Sequence, residues 1–247
     1  MPLAPILGLC ADRRSRWNSG GSLATLPAMR ELLQRIAAEA GTGGLTVDTD
    51  AYVAAARDPT EPVLLGSGDL TAAVGFFGRD PGRREVELGE PFIGKGGQLV
   101  RGALFRAGGG VGAPTLEESI VVGRRVFWGN TVPFKPVGNR AWPVAVKRRF
   151  VPFIRELLVD HWQGHELITL GNQAFQWFGL AEPNLRPLLR EFWVRDDRYE
   201  ASLEIELAGK TIRLYPLPHP SPLNAAWHQR VPALLDARLR ELGWPTG

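Results

Sequence analysis

The chain has 247 residues, of which 44% are hydrophobic and 22% charged, as in an ordinary folded domain. No run of about 18 apolar residues is present, and the first residues lack the basic stretch and cleavage site of a signal peptide, so neither a membrane span nor a signal peptide is expected. Cys10 is the only cysteine, which excludes an internal disulfide and a four-cysteine metal site and favours a cytoplasmic protein.

The net charge of +3 is weak evidence for a polyanionic partner. All but four of the 29 basic residues are arginines, a side chain suited to bidentate phosphate contacts. Codon bias in a GC-rich genome explains the same excess more simply.

The N-terminal part of the chain, residues 1–60, is predicted to be an extension that precedes the core. Residues 27–40 have an amphipathic helical pattern, with Pro27 near the first turn and Gly41 after the end. Residues 41–61 are rich in Gly, Thr, Asp and Pro and predict a loop, apart from a short helix near 51–56.

Four apolar runs further along the chain predict strands at 73–77, 126–128, 167–170 and 212–215. Helical patterns follow them at roughly 97–107, 143–159, 173–179 and 225–242. This alternation predicts an α/β fold, a three-layer α/β/α sandwich around a central, mostly parallel four-stranded sheet. Residues 203–207 pair with 212–215 as a hairpin. We therefore expect a single domain over 1–247 with its core at 73–242, and an inserted loop at 108–118 to which no role is assigned.

Polar residues stand at the carboxyl ends of three predicted strands, where open α/β sheets form their sites. Asp80 lies in the turn 78–82 (GRDPG), Asn130 ends the second strand, and His219 stands between two prolines after the fourth. Taken singly, a turn aspartate, a turn asparagine and a solvated histidine are simpler interpretations. A hydrolase that uses Ser221 with His219 is disfavoured, because the two are only two residues apart and no G-x-S-x-G elbow is present.

A further segment, 89–97 (GEPFIGKGG), precedes the predicted helix at 97–107. Phe92 stands in a loop bounded by glycines, where an aromatic side chain either covers the core or stacks on a flat ligand.

Together these segments resemble the uracil-DNA glycosylase superfamily over about 73–242. The turn 78–82 combines the aspartate of the GQDPYH motif with the Pro-Gly of the GEAPG motif of the iron–sulfur branch. Residues 89–94 resemble the GRPFVG of that branch, and 219–223 match the HPSPL loop of the best-known branch. Residues 130–132 (NTV) with 138–140 (GNR), and 171–174 (GNQA), are similar to further motifs in the same order.

The chain also departs from both branches. With Cys10 alone it lacks the cysteines of the iron–sulfur cluster, so the resemblance implies no metal and no cofactor. Gly82 replaces a tyrosine that excludes thymine in the best-known branch, so another group must exclude thymine or the substrate range is broader. Residues 147–150 (KRRF) are similar to a KRRIH loop that traps uracil covalently in some relatives, but they lie in a predicted helix with no histidine after them. We interpret that likeness as chance.

The resemblance implies a monofunctional DNA repair enzyme that flips uracil out of DNA and hydrolyses its N-glycosidic bond. Asp80 would activate a water and stabilise the cationic sugar, and a neutral His219 would donate a hydrogen bond to the leaving base. Phe92 would stack on the base, Asn130 would recognise its O4/N3–H edge, and Gly78 would belong to the same pocket.

The resemblance also implies DNA-binding residues. Arg140 and Ser221 would contact phosphates, with Arg83 and Arg84 as further candidates. Leu223 would fill the gap left by the flipped base, with Trp227 as the alternative. The expected protein is a cytoplasmic monomer that acts on DNA containing uracil and does not bind membranes.

Two other functions remain open. Gly82 and the hybrid motif are compatible with a glycosylase for another deaminated base, hypoxanthine or xanthine. A non-catalytic lesion-binding module is the alternative from another class, although a mere binder has no need for a water-activating acid such as Asp80.

Overall fold

The structure is a computed structural model that describes residues 25–63, 65–138, 140–222 and 224–245. Its strands are β1 (Ser67–Gly68), β2 (Val74–Gly78), β3 (Phe127–Asn130), β4 (Glu166–Leu170), β5 (Leu203–Leu207) and β6 (Lys210–Leu217). Its helices are α1 (Thr25–Gly41), α2 (Thr49–Ala54), α3 (Arg83–Leu88), α4 (Lys95–Ala107), α5 (Leu116–Gly123), α6 (Val144–Glu156), α7 (Asn172–Phe175), α8 (Phe178–Ala181), α9 (Arg186–Trp193), α10 (Ala225–His228) and α11 (Val231–Glu241). Among the helices described, none has the length and apolar content needed to cross a bilayer.

One sheet contains the six described strands in the order β1-β3-β2-β4-β6-β5. The inner four, β3, β2, β4 and β6, are parallel and coincide with the four predicted strands. The sheet nevertheless has six strands rather than four, because β1 and β5 pair antiparallel at the two edges. β5 is the predicted hairpin arm, whereas β1 has two residues and is too short to give a periodic pattern.

Helices cover both faces of the sheet, which confirms the three-layer sandwich. All five residues of β2 are buried, as expected for a parallel strand covered on both sides. Neighbouring side chains point to opposite faces, so Phe77 belongs to the core under α1, α6, α8 and α9, and Phe76 to the core under α4, α5 and α11. Helix α1 contributes Leu32 and Ile36 to the first core, although whether the whole chain forms one domain stays a prediction.

Several helix predictions needed correction. The predicted helix at 225–242 is two helices, since α11 begins anew at Val231 with Pro232 in its first turn. The helix at 173–179 is likewise divided into α7 and α8. The stretch 108–118, expected to be a loop, runs into α5, whose start is defined by a capping box between Thr115 and Glu118. That Thr-x-x-Glu signal is visible in the sequence.

Candidate active site

The carboxyl ends of the parallel strands bring three predicted base-binding residues together. Gly78 stands opposite Asn130 in the register of β2 and β3. A Cβ atom at Gly78 would lie 3.0 Å from Asn130 Oδ1 and would overlap the ring of Phe92. Asn130 is only 4% exposed, so its amide is held inside the protein at the edge of this space. The structure therefore gathers Gly78, Phe92 and Asn130 at one place.

Asp80 is a buried carboxylate and not a helix cap. Its side chain is 4% exposed, and its Oδ1 atom accepts a hydrogen bond of 2.9 Å from Arg79 Nε. The N-cap of α3 is Gly82, which makes no side-chain capping bond. Burial raises the pKa of Asp80, while the positive charges of Arg79, Lys147 and Lys135 act in the opposite direction. The net result is a carboxylate that is more basic than an ordinary aspartate.

Lys147 is a residue of this site that the sequence interpretation missed. It lies in the first part of α6, as predicted for 147–150, but it is 6% exposed and its Nζ donates to Gln173 Oε1 at 2.6 Å. Burial lowers the pKa of Lys147 and the charge of Asp80 raises it, so the two groups interact electrostatically. Only the tertiary structure makes this apparent, because Lys147 and Asp80 are far apart in the sequence.

His219 is held as a neutral hydrogen-bond donor. The backbone N–H of Ser221 donates to His219 Nδ1 at 3.3 Å, which leaves the proton of a neutral ring on Nε2. Asn224 Nδ2 donates to the carbonyl of His219 at 3.1 Å and so fixes the loop. The ring keeps contact with solvent, yet desolvation and the charge of Arg79 lower the pKa of His219 to about 4. The imidazole is therefore neutral at pH 7.

The loop that contains His219 packs closely against the end of β4 and the first turn of α4. A Cβ atom at Gly171, directly after β4, would lie 3.0 Å from His219 Cβ. On the other side, a Cβ atom at Gly96 in the first turn of α4 would lie 3.1 Å from the carbonyl oxygen of Pro220. His219 thus stands close to the strand ends that carry the other predicted residues.

Phe92 ends a column of three aromatic rings. Its ring stacks on Trp128 with 5.0 Å between centroids and 26° between planes, and Trp128 stacks on Phe76 with the same values. Trp128 and Phe76 are fully buried, whereas Phe92 is half-buried. The column supports Phe92 from below and is suited to hold a flat ligand against it.

Glu85 is a second residue that the sequence interpretation missed. Its Oε1 atom accepts a 3.0 Å hydrogen bond from the backbone N–H of Gly94, two residues after Phe92. A Cβ atom at Gly82 would overlap the carboxylate of Glu85. The space that a larger side chain at position 82 would need is thus occupied by Glu85.

The residues expected to contact DNA have different environments. The side chain of Arg140 is exposed and Ser221 is half-buried. Arg83 and Arg84 are exposed and both pair with Glu87, at 3.3 and 3.2 Å. Leu223 lies outside the described residues.

Trp227, the alternative to Leu223, is half-buried and packs against Tyr199. It lies edge-on to Tyr199 at 4.7 Å between centroids, with the guanidinium of Arg230 over its ring at 4.6 Å.

Comparison with known proteins agrees with this geometry. The family model described as Uracil DNA glycosylase superfamily matches residues 65–243, well over half of the chain. The chain belongs to the uracil-DNA glycosylase superfamily. It is also similar to the Type-4 uracil-DNA glycosylase of Thermotoga maritima, with 31% identity over 78 residues. That match covers 32% of this chain and 34% of the relative, so the chain spans about a third of the length of the curated relative it matches.

Proposed function

We propose that this superfamily member is a monofunctional uracil-DNA glycosylase that flips uracil out of DNA and hydrolyses its N-glycosidic bond. The proposal rests on two groups that lie at the same edge of the sheet. One is a buried carboxylate, Asp80, and the other is a neutral imidazole donor, His219. The bond between sugar and base breaks as positive charge builds on the sugar and negative charge on the base. One anion and one neutral donor are the two groups that such a transition state requires.

In the proposed reaction the C1′–N1 bond breaks and its electron pair stays on the base. Asp80 accepts a proton from the water whose oxygen bonds to C1′, and its negative charge stabilises the cationic sugar before that. The raised pKa of Asp80 makes it a better proton acceptor than an ordinary aspartate. His219 donates from Nε2–H to O2 of the departing uracil anion, and this donor is already neutral and oriented before the substrate binds.

The base pocket would consist of Gly78, Phe92 and Asn130. The absence of a side chain at Gly78 leaves the space next to the Phe92 ring and the Asn130 amide. Phe92 would stack on the base, and Asn130 would use its acceptor and donors to distinguish uracil from cytosine. Glu85 fills the space beside Gly82, which supports Glu85 as the group that excludes thymine.

The DNA strand would cross the same edge of the sheet. We propose that Arg140 and Ser221 contact phosphates and that Leu223 occupies the gap in the duplex. We propose that the protein acts as a monomer, and none of the proposed steps uses a cofactor.

A panel of duplexes containing uracil, thymine, hypoxanthine or xanthine tests the proposal. We expect release of uracil in single turnover, slowed by about 10²–10⁴-fold in Asp80→Asn because general-base assistance is lost. DNA binding should persist in that variant, and Asp196→Asn, an exposed aspartate, should behave as the wild type.

Each competing function has its own outcome in this panel. Release of hypoxanthine or xanthine in place of uracil supports the glycosylase for another base. Tight binding of a lesion without any release supports the lesion-binding module. Full activity of Asp80→Asn would show that Asp80 has no catalytic role.

A further inference from the structure

Arg101, in the middle of α4, is a buried cation that the proposed reaction does not use. Its side chain is 0% exposed. In the part of the chain that the structure describes, its hydrogen bonds end on main-chain oxygens. Nε donates to the carbonyls of Pro91 and Phe92, each at 3.1 Å, and the terminal nitrogens donate to the carbonyls of Pro91 and Ser119. The charges of Glu90 and Glu85 favour the charged form of the guanidinium, while its hydrogen bonds hold main-chain oxygens beside Phe92.

The two carbonyls next to Phe92 explain what Arg101 holds. The carbonyl of Pro91 belongs to the peptide before the Phe92 Cα atom, and the carbonyl of Phe92 belongs to the peptide after it. A group that binds both oxygens fixes both peptide planes and hence the direction of the Cα–Cβ bond of Phe92, while the stack on Trp128 orients the ring. Phe92 needs such support because its φ angle is 47°, in the left-handed region that bulky residues rarely adopt.

Helix α5 contacts both Arg101 and Trp128, the two residues that support Phe92. It supplies the carbonyl of Ser119 to Arg101 and the carbonyl of Gly123 to Trp128 Nε1, the latter at 2.6 Å. The guanidinium carbon of Arg101 lies 5.2 Å from the centroid of the Trp128 ring. A Cβ atom at Gly123 would overlap the guanidinium, so α5 can approach closely only because that residue is glycine.

We propose that Arg101 is a positioning residue that, anchored by α5, holds the Phe92 ring ready to stack on a flipped-out base. The inference deepens the proposed function, on which it rests for the identity of the base. It also assigns a role to α5, whose first residues belong to the stretch 108–118. Burial lowers the pKa of Arg101 to about 10, so the guanidinium stays charged at neutral pH.

The test compares the binding of two DNA duplexes by the full chain. One duplex carries an abasic analogue, and the other carries 2′-fluoro-2′-deoxyuridine, whose glycosidic bond resists cleavage. The ratio of the two affinities isolates the contribution of the base, which a purely structural loss of active protein does not change. We expect this ratio to fall about tenfold in Arg101→Met and in Phe92→Ala, while the affinity for the abasic duplex is kept.

Three further variants sharpen the test. Combining Arg101→Met with Phe92→Ala should reduce the ratio no more than either change alone, because both act through one contact. Arg106→Met, on the same helix but exposed and paired with Asp236, should leave the ratio unchanged. If Arg101→Met does not fold, Arg101→Lys is measured in its place. Lysine keeps the positive charge but lacks the planar guanidinium that binds both carbonyls.

Hydrogen exchange of the amides at 92–94 in the free protein provides a readout that needs no substrate. It should accelerate in the Arg101 variants and not in Arg106→Met. Unchanged exchange, or a ratio kept in the Arg101 variants but lost in Phe92→Ala, overturns the role of Arg101. A wild-type protein that does not prefer the uracil analogue counts against the proposed function instead, and the exchange data then decide the role of Arg101 separately.

Discussion

Two sides of the candidate site are built by different helical layers and contribute different chemistry. On the charged side, Asp80 lies with Arg79 and under the influence of Lys147, which comes from α6. On the aromatic side, Phe92 and Trp128 are supported by Arg101 from α4. Both sides contain a buried cation, but Lys147 acts on a carboxylate whereas Arg101 binds main-chain carbonyls. One buried cation therefore changes the pKa of a carboxylate, whereas the other fixes the position of the main chain beside an aromatic ring.

His219 lies between the two sides of the site. We therefore expect its substitution to have the largest effect on the rate of base release. His219→Ala should slow base release by about 10²–10³-fold, because a preorganised donor to the leaving group is lost. Single-turnover rates measure the effect, and His165→Ala, an exposed histidine bound to the Thr211 carbonyl, is the control. Since the pKa of His219 is lowered to about 4, the wild-type rate should be level from pH 8 to pH 6. A fall in the wild-type rate centred near pH 6.5 that is absent in His219→Ala would contradict a histidine that is already neutral.

Substitution of Glu85, which accepts a hydrogen bond from Gly94 close to Phe92, tests whether the aromatic side also distinguishes uracil from thymine. Glu85→Ala should open the space beside Gly82 and reduce the ratio of uracil release to thymine release by about tenfold, the scale of a single methyl group. Glu87→Ala, on the same helix but paired only outward with Arg83 and Arg84 among the described contacts, should keep the wild-type ratio. Equal ratios in the two variants would assign thymine exclusion to another group.

Lys147 tests the charged side and should give the smallest effect. In the wild type the rate falls on the acid side as pH drops through the raised pKa of Asp80, because the protonated carboxyl cannot accept a proton. Lys147→Met removes a positive charge that favours the carboxylate, so the pKa of Asp80 rises and the acid limb moves to higher pH. The pH profile of the single-turnover rate measures this shift.

Arg148→Met is the matched control for Lys147, since Arg148 is the exposed neighbour in the same helix. Its acid limb should coincide with that of the wild type. If both variants shift equally, the cause is the general charge of the protein and not a specific effect of Lys147.

The polar residues of the site were easier to predict than the residues that support them. Asp80, Asn130 and His219 follow strands whose apolar pattern is clear, and the carboxyl ends of parallel strands meet at one edge. Lys147 and Glu85 gave no comparable signal, because a charged residue on a predicted helix is usually solvated. Their importance depends on which helix face is covered by a neighbouring loop.

The four parallel strands, the hairpin and the order of the polar loops could be predicted from the sequence, because these depend on local apolar periodicity and on turn residues. The sequence also contained the signal for α5, the capping box at Thr115 and Glu118. Which cations are buried, and what they bind, depends on contacts between distant parts of the chain. Arg101 and Lys147 are indistinguishable from surface residues in the sequence, since the cost of burying a charge is met by carbonyls or carboxylates from distant parts of the chain.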